Sequence, residues 1–301
     1  MLKLFSPLPG RARRAVAGLA IAVSAVLGVA APATAAPHAH VSDTVDITAV
    51  EPLTYTIDTH GTLAAGVVHL VFKNAGQAPH QAQLFRLNDG VTFERWQADL
   101  HSANPNTALF TDAVPAGGAT PVLPGARQDV WDVLQGGTYV VACFVPGPDG
   151  TPHIFLGMYK PFDVVGSTGL VSACGRPACP WIQAHDLTYT MPASLVRGTV
   201  VRFDDTDAKD VHEVNFGKLL PGKTVDDAKA WFVASAAQPP VNPGPPPFTF
   251  AGGHGAEPPG QGGWFQVEAD PGQYIAFCLV PDDQTGKPHA AMGMVVGFTI
   301  I

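Results

Sequence analysis

Short runs of alternating apolar and polar residues, broken by Gly, Pro, Asn and Asp, fill the chain from about residue 45 to its end. Gly66–Phe72 and Gly137–Cys143 are two of these runs. Alternation with a period of two places every second side chain on one face, as in a half-buried β-strand. Many short strands separated by turn residues predict an all-β, antiparallel sandwich architecture.

Two segments depart from this pattern and have helical spacing. Thr92–Leu100 spaces Phe93, Trp96 and Leu100 along one helical face, and Thr224–Phe232 does the same with Val225, Ala228 and Trp231. Thr224 and Asp227 fit a capping box at the start of the second segment. We therefore predict one short helix in each half of the chain, with these apolar residues facing a core.

The two halves repeat one another at an offset of 132 to 136 residues. The matching segments are Leu53–Thr56 with Leu187–Thr190, Gly66–Phe72 with Gly198–Phe203, His80–Phe85 with His212–Phe216, and Gly137–Cys143 with Gly272–Cys278. Such self-similarity indicates duplication of one domain. We predict domains over 45–168 and 181–301, joined by a linker over 169–180.

The N-terminus has the layout of a secretory signal. Three arginines precede an apolar run over Ala15–Ala31, and Ala33-Thr34-Ala35 offers small residues for cleavage. We predict a signal peptide over 1–35 and a flexible tail over 36–44, with an uncleaved membrane anchor as the alternative. The mature protein would then be secreted or extracellular, or retained in the cell envelope, with no membrane-spanning segment.

Charge limits the choice of partners. The chain is formally −8 at pH 7, and removal of residues 1–35, which carry four basic and no acidic residues, would make it −12. An acidic surface with no basic cluster disfavours nucleic acid and acidic membranes. It predicts that any partner protein docks through a basic patch.

The four cysteines divide into two kinds. Cys174 and Cys179 lie in a turn-rich stretch, at a spacing that allows a small disulfide loop within the linker. Cys143 and Cys278 each end an alternating strand, one in each repeat, so two separately folded domains would keep them apart. A buried free thiol in an oxidising compartment suggests a metal, although it also packs as a small hydrophobe.

Each of these thiols begins a stretch that also holds an imidazole and a thioether. The first contains Cys143, His153 and Met158, and the second contains Cys278, His289 and Met294. A thiolate, two imidazoles and a weak axial thioether form the ligand set of an electron-transfer copper site. The remaining imidazole has one candidate in each repeat. The candidates are His80 and His212, and Met292 is an alternative to Met294.

These loops resemble a known family. Asn74–His80 and Pro152-His153-x-x-x-Gly157-Met158 are similar to the two copper loops of plastocyanin and its cupredoxin relatives. The resemblance implies two tandem Greek-key, cupredoxin-like β-sandwiches, each binding one copper ion. The ligands it implies are His80, Cys143, His153 and Met158 in the first domain, and His212, Cys278, His289 and Met294 in the second.

The chain departs from that family in two respects. Nine residues separate Cys143 from His153 and ten separate Cys278 from His289, where small cupredoxins have only a few. Many cupredoxins also tie the two loops together through an Asn after the first His and a hydroxyl residue after the Cys. The corresponding residues are Gln81, Glu213, Phe144 and Leu279.

Other chemistry finds little support in the sequence. The only His-x-His pair is His38-Ala39-His40 in the predicted tail, whereas a multicopper oxidase needs several. Ala142 and Phe277 stand where a copper nitrite reductase has a His before the ligand Cys. These observations predict a protein that is not an enzyme.

The sequence pattern indicates ordinary roles for the remaining polar residues. Surface or strand roles are expected for His60, His69, His101, His185 and His254. Asp204-Asp205 and Asp226-Asp227 are interpreted as solvated charges. The Pro/Gly-rich stretch 239–263 is expected to be an exposed, irregular loop to which the sequence gives no role.

The sequence therefore predicts a secreted tandem copper protein that transfers single electrons. Two alternatives remain: a metal-free extracellular binding or structural module built on the same sandwiches, and a protein that sequesters copper with the same ligands.

Overall fold

Two β-sandwiches follow one another along the chain in the computed structural model, which describes residues 41–166, 179–237, 239 and 242–301. The strands of the first are β1 (Val41–Ser42), β2 (Thr44–Val50), β3 (Thr54–Asp58), β4 (Thr62–Leu63), β5 (Gly66–Asn74), β6 (His80–Leu87), β7 (Ala113–Val122), β8 (Arg127–Leu134), β9 (Gly137–Ala142) and β10 (Tyr159–Val164). Its helical segments are α1 (Phe93–Leu100), a π-helical turn (Thr107–Thr111) and a 3-10 turn (His153–Leu156).

The second sandwich repeats this order of elements. Its strands are β11 (Trp181–His185), β12 (Thr188–Thr190), β13 (Ser194–Leu195), β14 (Val200–Asp205), β15 (His212–Leu219), β16 (Phe248–Glu257), β17 (Gly262–Gln266), β18 (Gly272–Phe277) and β19 (Val295–Ile300). Its helical segments are α2 (Val225–Ser235) and a 3-10 turn (His289–Met292). The all-β, tandem architecture predicted from the sequence is confirmed.

The two sandwiches share one continuous sheet of eight strands, in the order β12-β11-β14-β17-β8-β5-β2-β3. Four strands come from each half, and β17 joins β8 in antiparallel pairing, with Trp264 opposite Trp131 and Phe265 opposite Val130. Each half completes its own sandwich with a second sheet, β10-β9-β6-β7 or β13-β19-β18-β15-β16. Because the shared sheet crosses the repeat, the described residues form a single compact unit. The predicted boundaries at 45, 168 and 181 stay predictions.

A hydrophobic core fills the space between the sheets. Val68, Leu70 and Phe72 of β5 alternate inward as the period-two pattern requires, and Val201, Phe203 and Phe265 do so in the second half. Burying an aliphatic or aromatic side chain of this size contributes about 1.5–3 kcal/mol relative to leaving it exposed. The sulfur atoms of both free cysteines belong to this same core.

Each helix closes a smaller apolar cluster on the outer face of the second sheet. Thr92 caps α1 by accepting the Arg95 N–H, and Thr224 with Asp227 forms the predicted capping box of α2. Trp96 and Leu100 are buried as predicted. In α2 the buried pair is Ala228 and Phe232. Trp231 is half-buried, and its indole N–H donates to the Gly244 carbonyl at 2.9 Å.

Part of the expected Pro/Gly loop is a strand. Gly252 and Gly253 lie inside β16 with φ of 84° and 131°, a region that favours glycine. A Cβ on Gly253 would lie 2.0 Å from the Val214 carbonyl oxygen, so only glycine lets β16 approach β15 here. The residues that follow, His254 to Glu257, are buried rather than exposed. The interpretation of this stretch as an irregular exposed loop is therefore wrong for Phe248–Glu257, whereas residues 258–261 do form a turn between strands.

Asp204 and Asp205 are also buried, contrary to their interpretation as solvated charges. Arg202 donates to Asp204 at 2.8 Å, and Asp205 accepts the backbone N–H of His212 at 3.0 Å. Asp226 and Asp227 do lie in the first turn of α2. Among the described residues no helix is long and apolar enough to cross a bilayer.

Candidate metal centres

Adjacent strands bring the first set of predicted ligands together. His80 begins β6, Cys143 directly follows β9, and these two strands pair in antiparallel register. Cys143 Sγ lies 3.7 Å from His80 Nδ1 and 3.5 Å from His153 Nδ1, and the two Nδ1 atoms are 3.2 Å apart. One point therefore lies about 2 Å from all three atoms, a usual metal–nitrogen distance in proteins.

The second set has the same arrangement on β15 and β18. Cys278 Sγ lies 3.9 Å from His212 Nδ1 and 3.5 Å from His289 Nδ1, and the two Nδ1 atoms are 3.1 Å apart. All six side chains are buried. The donor atoms of each predicted His–Cys–His set thus converge on one point, so there is one such point in each sandwich.

The long Cys–His segments fold back on themselves and so close each site. In the first, Pro146 and Pro152 form a β-bridge, and the His153 N–H donates to the Val145 carbonyl at 3.0 Å. The Ile154 N–H then donates to the Cys143 carbonyl at 2.7 Å. Pro281 and Pro288 form the equivalent bridge in the second segment. The added length is therefore held in a hairpin that leaves the two ligands adjacent.

The methionines lie on the same loops. Met158 is fully buried; its N–H donates to the His153 carbonyl at 2.9 Å, and its carbonyl accepts the Cys143 N–H at 3.2 Å. Met294 is also buried, and its N–H donates to the His289 carbonyl at 3.0 Å. Met292 is 38% exposed and its sulfur contacts Thr285 Oγ1 at 3.8 Å. The backbone therefore places Met294, and not Met292, beside its histidine.

Burial sets the protonation of these groups. It raises the pKa of the Cys143 thiol to about 11 and that of Cys278 well above its usual value. It also lowers the pKa of all four imidazoles: His80, His153, His212 and His289. Neutral imidazoles offer a lone pair, and two of them face one sulfur in each site. Such a donor set fits one copper ion per sandwich.

A tyrosine fixes the backbone beside each first histidine. The Tyr55 hydroxyl donates to the carbonyl of Gln81, and the Tyr189 hydroxyl donates to the carbonyl of Glu213. Both tyrosines belong to the Leu-Thr-Tyr-Thr segments that mark the repeat. This contact explains why that short segment occurs in both halves, which the sequence alone does not reveal.

The second site has polar contacts that are not found around the first among the described residues. Glu213 Oε1 accepts the Leu279 N–H at 3.0 Å and the Asn215 side-chain amide at 2.7 Å, so its carboxylate ties the histidine strand to the cysteine loop. This bond replaces the Asn–hydroxyl link that the sequence lacks. His212 Nε2 also contacts Asp207, whereas His80 Nε2 is buried without a hydrogen-bond partner.

A cleft of about 310 Å³ opens between the halves next to both sites. The residues that directly follow the first histidines and the cysteines line it, namely Gln81, Phe144, Glu213 and Leu279. Its wall is predominantly apolar, with aromatic side chains from both halves. The cleft therefore adjoins residues that directly follow ligands of both metal centres.

The other histidines separate into two groups. His69 stacks on Trp131 at 4.5 Å and contacts Asp129, and His60, His101 and His185 are exposed or half-buried with polar neighbours. His254 is different, because it is fully buried beside Asp132 and Glu257. It lies within β16, in line with the predicted strand role, and it is buried instead of on the surface. Asp132 belongs to β8 of the other half, so no local pattern in the sequence indicates that it lies beside His254.

Several predictions lie wholly or partly outside the described residues. They are the signal peptide, His38 and His40 of the tail, and Cys174 of the predicted disulfide with Cys179. Cys143 and Cys278 are free and buried, in agreement with the division of the cysteines made above.

Comparison with known proteins gives structural likenesses only. No protein-family model and no curated protein matches the chain. Reduced auracyanin from the photosynthetic bacterium Roseiflexus castenholzii is 20% identical over 40% of this chain and 94% of its own, with a TM-score of 0.27. A multicopper oxidase is 15% identical over 86% and 88%, with a TM-score of 0.22. The Cu-containing nitrite reductase of Thermus scotoductus SA-01 is 10% identical over 87% and 62%, with a TM-score of 0.24.

One prediction is corrected by this comparison. Two of the similar structures are enzymes, an oxidase and a reductase, and each likeness spans most of this chain. The prediction that the protein is not an enzyme is therefore wrong as an exclusion, because this architecture also occurs in enzymes. The resemblance drawn from the copper loops is confirmed: the chain has two cupredoxin-like sandwiches, each with a buried His–Cys–His set and an adjacent methionine.

Proposed function

We propose that the chain binds two copper ions and transfers single electrons. The observation that carries this proposal is the pair of buried donor triangles, in which a sulfur and two imidazole nitrogens lie within 3.9 Å of one another. When bound to such a set, copper would supply one-electron redox chemistry.

The chain's own contribution is to hold the donors still. Backbone hydrogen bonds connect Cys143, His153 and Met158 within one loop, and pairing of β6 with β9 fixes His80 against them. The apolar core surrounding the sulfur atoms excludes water. A rigid, dry site favours electron exchange, because few atoms must rearrange when the charge changes.

The direct test is to add Cu(II) to the purified protein and record its visible spectrum with a metal analysis. We expect two copper ions per chain and an intense thiolate-to-copper band. Cys143→Ser and Cys278→Ser should each remove about half of the band, and the double variant should remove all of it. A colourless protein with both thiols free would contradict the proposal and favour the metal-free module.

The same preparation distinguishes electron transfer from copper sequestration. Electron transfer predicts reversible oxidation and reduction of both centres and rapid exchange with a small redox partner. Sequestration predicts very tight Cu(I) binding without reversible reoxidation. A voltammogram together with a Cu(I) competition titration separates the two.

Secretion and a basic partner are part of this proposal. They are supported by the signal-like segment 1–35 and by the acidic balance of 17 Lys and Arg against 25 Asp and Glu. Expression of the full chain should yield a mature protein that begins after Ala35. Association with a basic redox partner should weaken as salt rises, because exposed charges are screened.

A further inference from the structure

A third group of metal-binding side chains lies between the two sandwiches. Asp132 is on β8 of the first half, and His254 and Glu257 are on β16 of the second. One donor atom from each lies within 4.8 Å of the other two. The three side chains are buried, with exposed fractions of 1%, 0% and 5%. None of them belongs to either copper site.

The hydrogen bonds around this group leave acceptor atoms facing one another. His254 Nδ1 lies 3.0 Å from the Gly255 carbonyl oxygen, which can only accept, so Nδ1 carries the proton. Nε2 of a neutral imidazole therefore presents a lone pair, and it lies 3.0 Å from Asp132 Oδ1. Both atoms are buried and neither makes a hydrogen bond. The other Asp132 oxygen accepts the Gly118 N–H at 3.0 Å, which holds the carboxylate in place.

Glycines keep the space around these atoms clear of side chains. A Cβ on Gly117 would lie 2.1 Å from Asp132 Oδ1 and 2.8 Å from Glu257 Oε1. A Cβ on Gly263 would lie 2.3 Å from His254 Nε2 and 2.9 Å from Asp132 Oδ1. Any other residue at either position would occupy the place where the three donors meet.

The charge of these three side chains indicates which kind of ligand would bind between them. With both carboxyl groups ionised and the imidazole neutral, this buried group would carry a net charge of −2, which a divalent cation would balance. Without a cation, burial and the nearby carboxylates of Asp132, Asp205 and Asp204 raise the pKa of Glu257 well above its usual range. An uncompensated buried charge is costly, so a metal ion or bound protons must neutralise this group.

The group is not a by-product of duplication. β7 and β16 are equivalent strands, since His80 pairs with Val122 in the first half as His212 pairs with Glu257 in the second. In the same register Ala119 takes the place of His254. The two donors on β16, His254 and Glu257, are therefore replaced by the apolar residues Ala119 and Val122 at the equivalent positions of β7. Only one of the two equivalent positions carries the ligands.

We propose that Asp132, His254 and Glu257 form a third metal site, which binds one divalent first-row transition ion through one nitrogen and two carboxylate ligands. Imidazole and carboxylate oxygen together suit ions such as Zn²⁺ and Mn²⁺, and the group offers no sulfur. The proposal does not rest on the function of the copper centres.

Zinc provides the test. The full chain is first loaded with copper, excess copper is removed, and Zn²⁺ is titrated in, with both metals counted after gel filtration. We expect one zinc ion per chain and an unchanged thiolate band. His254→Ala, which installs the residue of the equivalent position in the first half, should weaken zinc binding by at least about tenfold. His101→Ala, at an exposed histidine, should bind zinc as the wild type does.

A second variant covers the outcome in which His254→Ala fails to fold. Glu257→Gln keeps the shape of the side chain and removes one buried charge. It should melt at a higher temperature than the wild type in a chelator, and zinc should raise the melting temperature of the wild type but not of this variant. Absence of zinc from the copper-loaded wild type, or equal zinc in the wild type and both variants, would overturn the proposal in favour of bound protons. If zinc also enters the thiolate sites, the wild type should still hold one ion more than either variant.

Discussion

His212 Nε2 lies 3.5 Å from Asp207 Oδ2, on the side of the ring opposite the copper site, whereas the equivalent nitrogen of His80 has no partner. Backbone N–H groups of Asp186 and Lys209 hold the Asp207 carboxylate in place. A carboxylate behind a ligand histidine orients the ring and makes it a stronger donor. The two copper centres, although built from the same residues, are therefore not equivalent.

This difference predicts unequal copper affinities. Asp207→Asn should weaken Cu(II) binding at the second centre by about tenfold, because such outer contacts typically contribute that much. The measurement is a chelator competition in a Cys143→Ser background, which leaves only the second centre. In a Cys278→Ser background the same substitution should have no effect. Equal losses at both centres would indicate general destabilisation instead.

The methionines provide a matched pair of substitutions. Met294→Leu should raise the reduction potential of the second centre by some tens of millivolts, because the axial thioether tunes the potential of such sites. Met292→Leu, two residues away and exposed, should leave the potential unchanged. Voltammetry of the two variants in a Cys143→Ser background tests this. A shift from Met292 and none from Met294 would reverse the assignment.

Copper binding should release protons. The Cys143 thiol, with its pKa raised by burial to about 11, is protonated at neutral pH, while the pKa of each ligand imidazole is lowered. Each copper ion should therefore displace about one proton at pH 7–8, and affinity should rise about tenfold per pH unit until the thiol ionises. Calorimetry in two buffers with different ionisation enthalpies counts the protons. Release of none would contradict a thiolate ligand.

Asp129 predicts an acid-labile contribution to stability. Burial would raise the pKa of this carboxyl, but hydrogen bonds from His69 and Arg127 outweigh burial and lower the pKa to about 2 from 3.8. A carboxyl whose pKa is lower in the folded than in the unfolded chain stabilises the fold at pH values above its unfolded pKa. This contribution is therefore present above about pH 4 and is lost as pH falls towards 2.

The expected loss is about 2 kcal/mol in the free energy of unfolding. Asp129→Asn should remove most of the change between pH 4 and pH 2 in urea titrations, and Asp89→Asn, at an exposed position, should not. A pH profile unaltered by Asp129→Asn would contradict this account.

The shared sheet predicts that the halves unfold together. Phe265 is fully buried and pairs with Val130 across the junction of β17 with β8. Phe265→Ala should destabilise the protein by about 3–5 kcal/mol. Urea unfolding followed separately at each copper centre should give coincident transitions in both the wild type and the variant. Loss of the second centre before the first would show that the halves are independent.

Much of the fold and both donor sets follow from local sequence. Alternation predicts strands, the Cys–His–Met stretches supply three donors within one loop, and duplication provides an internal check on their spacing. His80 and His212 were identifiable because they follow equivalent apolar strands. These features depend on residues close in sequence, or on pairing between strands of one sandwich.

The features that sequence did not reveal depend on which edges of the sandwiches meet. The junction of β8 with β17 brings Trp131 opposite Trp264, and no periodicity encodes that register. The same packing buries Asp132 beside His254 and makes Gly117 and Gly263 necessary. Glycines inside β16 suggested a loop, although their role is to permit a close approach between strands.

The eight-stranded sheet has a consequence for the proposed electron transfer. A backbone hydrogen-bond ladder, unlike a flexible tether, does not act as a hinge, so the separation between the two thiolate centres is set when the chain folds. Neither centre can swing towards a donor or an acceptor. In the proposed electron transfer, electrons would therefore enter and leave through fixed positions on the surface.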